Sequence, residues 1–241
     1  MTIRTAGTSP LVYARIAGIL YVIVFIAALF GPIFVRSNLV VPGDAATTAN
    51  NIMASESLFR AGIFSYLVIF LTEIVLSVVL YVLLKPVSKT LALVMTVFRL
   101  AMTTIHGINL LNQFFALLLL SGAGYLTVFG TDQLHALVLL FLDAHEYGWS
   151  IGIVFFSVHV FLLGYLVYKS GYFPRILGVL LLLASLAYLI DAFAILLLPS
   201  YEVTPIFLAV PIAIAEMVFP LWLLIKGVNV EQWQKRALES A

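Results

Sequence analysis

The chain has 241 residues, 63% of them hydrophobic and 10% charged, with a net charge of +1 and no cysteine. A water-soluble domain carries about 25% charged residues, so the composition excludes a soluble fold, and the near-neutral charge excludes nucleic acid as a partner. Without cysteine there are no disulfides, no thiolate chemistry and no cysteine-held metal.

In chain order, the first apolar run covers residues 14–35 and matches the roughly 20 residues a bilayer core requires. It lacks the short apolar core and small-residue cleavage site of a signal peptide, so it reads as a retained helix. The connection that follows holds Pro42-Gly43, a turn signal, and Asp44 as N-cap of a short interfacial helix over 45–55. The second span covers 58–84, interrupted by Glu73, and the third covers 90–121. Thr131 then caps an apolar run over 132–142 that is too short to span. It is either a re-entrant or interfacial helix, or an outward extension of the next span. The fourth, fifth and sixth spans cover 149–168, 174–198 and 205–225. None alternates with period two, so the spanning elements are helices rather than barrel strands. The expected fold is all-α: a polytopic integral membrane helical bundle of six transmembrane helices, one transmembrane domain over 1–241.

Lys and Arg set the direction. Arg4, Arg15, Lys85, Lys89, Lys169, Arg175, Lys226, Lys235 and Arg236 fall on one side. The other side has only Arg36 and Arg60, with Asp44, Glu56, Asp132, Asp143, Glu146 and Glu202. Both termini are therefore expected in the cytoplasm. A weak internal repeat accompanies this pattern. Residues 13–20 resemble residues 173–180, the spans that follow carry Glu73 and Glu216, and each ends beside a lysine, Lys85 or Lys226. The first and last hairpins are then related about an axis along the membrane normal, as in parallel-repeat transporters.

Ionisable groups inside spans cost about 2.5–3.5 kcal/mol each on insertion scales, so they face the bundle interior and mark function. Here they are Glu73, Arg99, His106, His159, Asp191 and Glu216. In the third span Arg99, Met102, His106, Asn109 and Gln113 recur at three- and four-residue steps and share one helix face. Lipid cannot satisfy such a stripe, so that face looks inward and the third helix is central. Glu73 and Glu216 are the natural counter-ions for Arg99 or for a protonated His106, and Asp191 is placed to meet Asn109 or Asn112. The competing reading is structural, with Arg99 and one glutamate locking two helices and the histidines bonding between helices. No HExxH spacing or haem attachment motif is present, so no metal or cofactor is assigned. Gly18, Gly107, Gly152, Gly164 and Gly178 read as close-packing positions. Trp149, Tyr172 and Trp233 read as an interfacial belt.

Five stretches are familiar as a set: Val41-Pro42-Gly43-Asp44-Ala45, Ala49-Asn50-Asn51-Ile52, Ser57-Leu58-Phe59-Arg60, Leu142-Asp143-Ala144-His145 with Gly148, and the run over 168–178. Together they resemble a bacterial membrane family, the domain of unknown function numbered forty-three eighty-six, from about Tyr13 to Asn229. The resemblance implies a multi-pass protein of the bacterial cytoplasmic membrane and carries no established site residues. It draws attention to an outer mouth built from Asp44, Asn51, Arg60, Asp143 and His145, with Arg60 facing Asp44 or Asp143.

Three functions remain open. One is binding or proton-linked transport of a small solute in a polar chamber, with a homo-oligomer where six spans are too few. The second is a membrane-embedded metal or haem enzyme acting on a lipid or quinone. The third is an accessory or sensory subunit. The bilayer is the one partner that the composition demands.

Overall fold

The computed structural model describes residues 9–201 and 203–240, and every regular element among them is helical. Six helices are long and apolar enough to cross a membrane: α1 (Pro10–Leu39), α3 (Glu56–Leu84), α4 (Lys89–Leu119), α5 (Thr131–Ser170), α6 (Arg175–Leu197) and α7 (Ile206–Ile225). Two shorter ones, α2 (Ala45–Ala54) and α8 (Val230–Glu239), follow α1 and α7. Ile26, Phe64, Leu71, Ile108 and Leu186 are exposed on the outside, a surface that water penalises and lipid accepts. The protein is an all-α, multi-pass membrane bundle.

The helices form a closed ring. α1 packs on α3, α3 on α4, α4 on α5, α5 on α6 and α6 on α7, and α7 returns to α1. Each neighbour in sequence is a neighbour in space, so the ring is three antiparallel hairpins side by side. With an even number of crossings, both described ends reach one face, here the proximal face. Lys85, Lys89, Lys169, Arg175, Lys226, Lys235 and Arg236 lie at that face. Arg4 and Glu202, part of the charge pattern, lie outside the described residues. The two hairpins of the internal repeat, α1–α3 and α6–α7, are adjacent in the ring through α1 and α7.

The structure decides three local features, the first in favour of the outward extension of the fourth span. First, α5 is a single helix of 40 residues, about 60 Å at 1.5 Å per residue and so about twice the hydrocarbon thickness. Residues 132–142 are therefore its distal turns and not a separate re-entrant or interfacial helix. No helix breaker stands in that stretch, and α2 and the end of α4 pack against it, burying Val138 and Leu142. Its cap is Gly130, whose N–H donates to Gln133 Oε1, rather than Thr131. Second, α1 widens into a π-helical stretch over Leu29–Val35 around Pro32; the wider turns absorb the hydrogen bond that proline cannot make. Third, α4 breaks at Leu110 into Lys89–Asn109 and Leu111–Leu119.

Glycines set the α5–α6 crossing. A Cβ on Gly178 would stand 2.7 Å from the Gly164 carbonyl oxygen and 2.6 Å from the Tyr168 amide nitrogen, both backbone atoms. Gly107, by contrast, faces open space. At the proximal face, the Tyr172 hydroxyl and the Trp233 indole N–H both donate to the Leu83 carbonyl, at 2.7 and 2.9 Å. Burial pushes the Tyr172 phenol up, in keeping with a donor that stays protonated.

Gly178→Val forces apart two helices that touch through backbone, and overpacking of this kind costs about 1–3 kcal/mol. Thermal unfolding in detergent should show the loss, and an unchanged melting temperature would contradict the crossing. At the other end, Asp44 caps α2 by accepting from the Thr47 amide and hydroxyl at 2.9 and 2.7 Å. These bonds hold its carboxyl below the ordinary value of 3.8. A depressed carboxyl stabilises the helix above its unfolded value and releases that contribution as pH falls through the folded one. The protection factor of the Thr47 amide, its intrinsic exchange rate over the observed one, should therefore fall only below about pH 4 in wild type and should already be reduced at neutral pH in Asp44→Ala.

Candidate functional site

A chamber of about 440 Å³ occupies the middle of the ring, and all six long helices line it. Most of its wall is apolar or aromatic. Its polar groups are Tyr21 from α1, Glu73 from α3, Arg99 and His106 from α4, Trp149 from α5, Tyr188 from α6 and Glu216 from α7. Phe25, Met217 and Leu221 line it too and are also exposed on the outside of the bundle. They mark its mouth, which lies in the α1–α7 seam.

Arg99 is the centre of the polar wall and is 2% exposed. One terminal nitrogen lies 3.4 Å from Glu73 Oε1 and the other lies 3.1 Å from His159 Nε2. Its guanidinium sits 5.6 Å from the Tyr21 ring centroid and 5.5 Å from that of Phe156, within cation–π range of both. Its Nε is buried without a partner among the described residues. Glu73 Oε2 accepts from the Thr103 hydroxyl at 3.1 Å.

Partner chemistry fixes the state of His159. A carbonyl only accepts and a guanidinium only donates. His159 Nδ1 lies 2.9 Å from the Met95 carbonyl, so Nδ1 carries the proton and Nε2 accepts from Arg99. His159 is a neutral imidazole with both nitrogens committed to the protein. His106 donates from Nε2 to the Trp149 carbonyl at 3.0 Å and stacks on the Trp149 ring, with centroids 4.0 Å apart and planes 5° apart. Gly152 makes this possible, because a Cβ there would overlap the His106 ring.

A second polar tier lies distal to the chamber. Asn109 Nδ2 donates to the His145 carbonyl at 2.8 Å, across a gap that Gly148 leaves open. The break at Leu110 sends the Gln113 amide to the Leu110 carbonyl and leaves the Asn109 carbonyl to accept from Asn112 and His145 Nδ1, at 3.1 and 3.3 Å. His145 Nε2 then accepts from the Gln113 amide group at 3.2 Å. The Tyr66 ring meets His145 edge-on at 5.4 Å.

The structure thus brings Glu73, Arg99, His106 and Glu216 to one chamber, with His159 directly behind Arg99. It separates the remaining candidates. Asn109 and Gln113 serve the distal tier. Glu216 is not salt-bridged to Arg99; its Oε1 accepts from the Tyr188 hydroxyl, and its side chain faces open space. Asp191 does not meet Asn109 or Asn112. It accepts from the Tyr201 and Thr204 hydroxyls at 2.5 and 3.1 Å and closes the α6–α7 connection. There its carboxylate helps push the Tyr201 phenol up to about 12, after desolvation.

The five outer residues form no common mouth. Arg60 pairs with Glu56 one turn away at 2.7 Å, not with Asp44 or Asp143. Asn51 donates to the Leu39 carbonyl at 3.4 Å. Asp143 is exposed, and His145 is buried in the distal tier. Trp149 belongs to the chamber rather than to an interfacial belt, and so does Tyr21, which no motif in the sequence singles out. Only depth and register distinguish these rings from belt or lipid-facing aromatics, Tyr21 lying against Arg99 and Trp149 against His106. Among the described residues no three His, Asp or Glu side chains converge to hold a metal.

The family model described as "Domain of unknown function (DUF4386)" matches residues 16–227. A protein of Archaeoglobus fulgidus, described as an uncharacterized protein, is 32% identical over 169 residues, which cover 68% of this chain and 82% of that one. No solved structure matches the chain.

Arg99→Met leaves Glu73 as a buried charge without its partner, and breaking such a pair costs about 3–5 kcal/mol. Arg99→Met combined with Glu73→Gln should recover most of that loss. Denaturation of both variants in the same micelle decides the point: a single variant as stable as wild type would mean that the pair does not hold α3 to α4.

Proposed function

The chain belongs to the DUF4386 family, and we propose that it binds or transports a small, mostly apolar molecule carrying one polar end, held in the chamber at the centre of the ring. One observation carries this reading: a cavity of about 440 Å³, walled by all six long helices, has its charged groups gathered at Glu73, Arg99 and Glu216. Pockets for small ligands occupy about 300–1,000 Å³, mostly apolar with a few placed polar groups. Charges kept at this depth are costly unless they do something.

The ring closes within one copy, so the chamber needs no second subunit. A mouth that opens between helices suits a ligand that partitions into the bilayer. The basic proximal face orients both described ends to the cytoplasm by the positive-inside rule, in the cytoplasmic membrane.

Val24 lines the chamber and is half-buried on α1, so Val24→Trp fills space without removing a polar contact. Native mass spectrometry after extraction in mild detergent should find a small-molecule adduct on wild type and about tenfold less on Val24→Trp, at similar melting temperatures. Empty wild-type protein, or equal occupancy in both, would overturn the proposal.

A further inference from the structure

We infer that the chamber selects lipophilic organic cations and that Glu216 is the group that receives them. This rests on the chamber reading above and adds the sign of the ligand's charge.

The chamber's charges do not cancel. Arg99 is matched by Glu73 and sits between two aromatic faces. His159 is neutral by its hydrogen-bond partners. His106 uses one nitrogen as a donor to a carbonyl and lacks a carboxylate neighbour among its described contacts. Glu216 is left with a single hydroxyl, that of Tyr188. An ionised Glu216 therefore gives the chamber one negative charge with no protein counter-ion.

The surrounding surface fits a particular cation. Tyr21, Phe25, Trp149, Phe156, Tyr188 and Phe219 line the chamber, and aromatic faces attract cations most strongly where water is excluded. Arg99 already exploits this with Tyr21 and Phe156. A small metal cation is poorly served, because hard cations take six or more oxygen ligands and Glu216 has one hydroxyl beside it. A bulky ammonium or phosphonium needs only a carboxylate and rings. Glu216 also stands next to Met217, at the mouth, so such a cation meets it on entry from the lipid.

A proton and the cation compete for the same carboxylate. The groups facing Glu216 are Tyr188 on α6 and Tyr21 on α1, with Arg99, Glu73 and His106 across the chamber and His159 behind Arg99. Cation affinity rises with pH across the titration of that carboxyl, and binding to the protonated form releases one proton to solvent.

Three probes of related shape and different charge test the inference on the full chain in lipid nanodiscs, with empty nanodiscs subtracted: tetraphenylphosphonium, triphenylphosphine oxide and tetraphenylborate. Tetraphenylphosphonium should bind about tenfold or more tighter than the oxide, and the borate weakest. Glu216→Gln should remove that preference, bringing phosphonium affinity down to that of the oxide in the same nanodiscs. Equal binding of oxide and phosphonium, a preference for borate, or unchanged phosphonium affinity in Glu216→Gln would each overturn the cation inference and leave the chamber reading standing. No binding of any probe above empty nanodiscs would overturn both. The comparison of probes on unaltered protein does not depend on any variant folding.

Discussion

Arg99 is a permanent positive charge placed where the surroundings are lipid, and the ring is arranged so that four helices close on it. α4 supplies the residue, α3 the carboxylate of Glu73, α5 the imidazole of His159 and the ring of Phe156, and α1 the ring of Tyr21. Each partner is held in turn. Glu73 is fixed by Thr103, and His159 by the Met95 carbonyl. Lipid offers no hydrogen bonds, so a chain of this kind must end on protein groups. It ends on backbone carbonyls and on the chamber.

The same constraint explains the α4–α5 seam. His106, Asn109 and Gln113 rise along one face of α4 and meet the Trp149 carbonyl, the His145 carbonyl and the His145 ring. Gly148 and Gly152 keep α5 thin where two of these side chains cross. Polar residues here do two jobs at different depths. The proximal set borders the chamber; the distal set is consumed in holding two helices together.

Much of this was legible in residue order, because lipid leaves few options. Continuous apolar runs had to be helices, and the three–four spacing of Arg99, His106, Asn109 and Gln113 had to face inward. Depth makes Glu73 and Glu216 alike counter-ions for Arg99, and in the structure Glu73 takes that place. What sequence spacing could not convey was which element a polar group meets. Asp191 and Asn109 both lie toward the distal face, yet Asp191 is taken by Tyr201 and Thr204 in its own connection. Arg60 finds a local partner in Glu56. Asp143 and His145 both read as residues of an outer mouth, but a helix disposes Asp143, His145 and Glu146 on different faces. Asp143 and Glu146 reach outward while His145 is buried. The tryptophan at 149 reads as a belt residue only while α5 is thought to begin there.

The ring is unequal, and the inequality locates the mouth. Side-chain hydrogen bonds join α4 to α5 along the whole seam, from His159 with Met95 and Arg99 to His106, Asn109, Gln113 and His145. None joins α1 to α7 among the described residues. Those two touch through the Gly18–Leu224 approach and the Tyr21–Phe219 ring edge, both in the proximal half. Parting α4 from α5 would strand donors and acceptors in hydrocarbon, at several kcal/mol for each unsatisfied group. Parting α1 from α7 uncovers apolar surface that lipid tails cover again, with no polar group stranded except Glu216, which a cation or a proton can neutralise. The seam that opens at least cost is therefore the one where Phe25, Met217 and Leu221 already reach both the chamber and the outside.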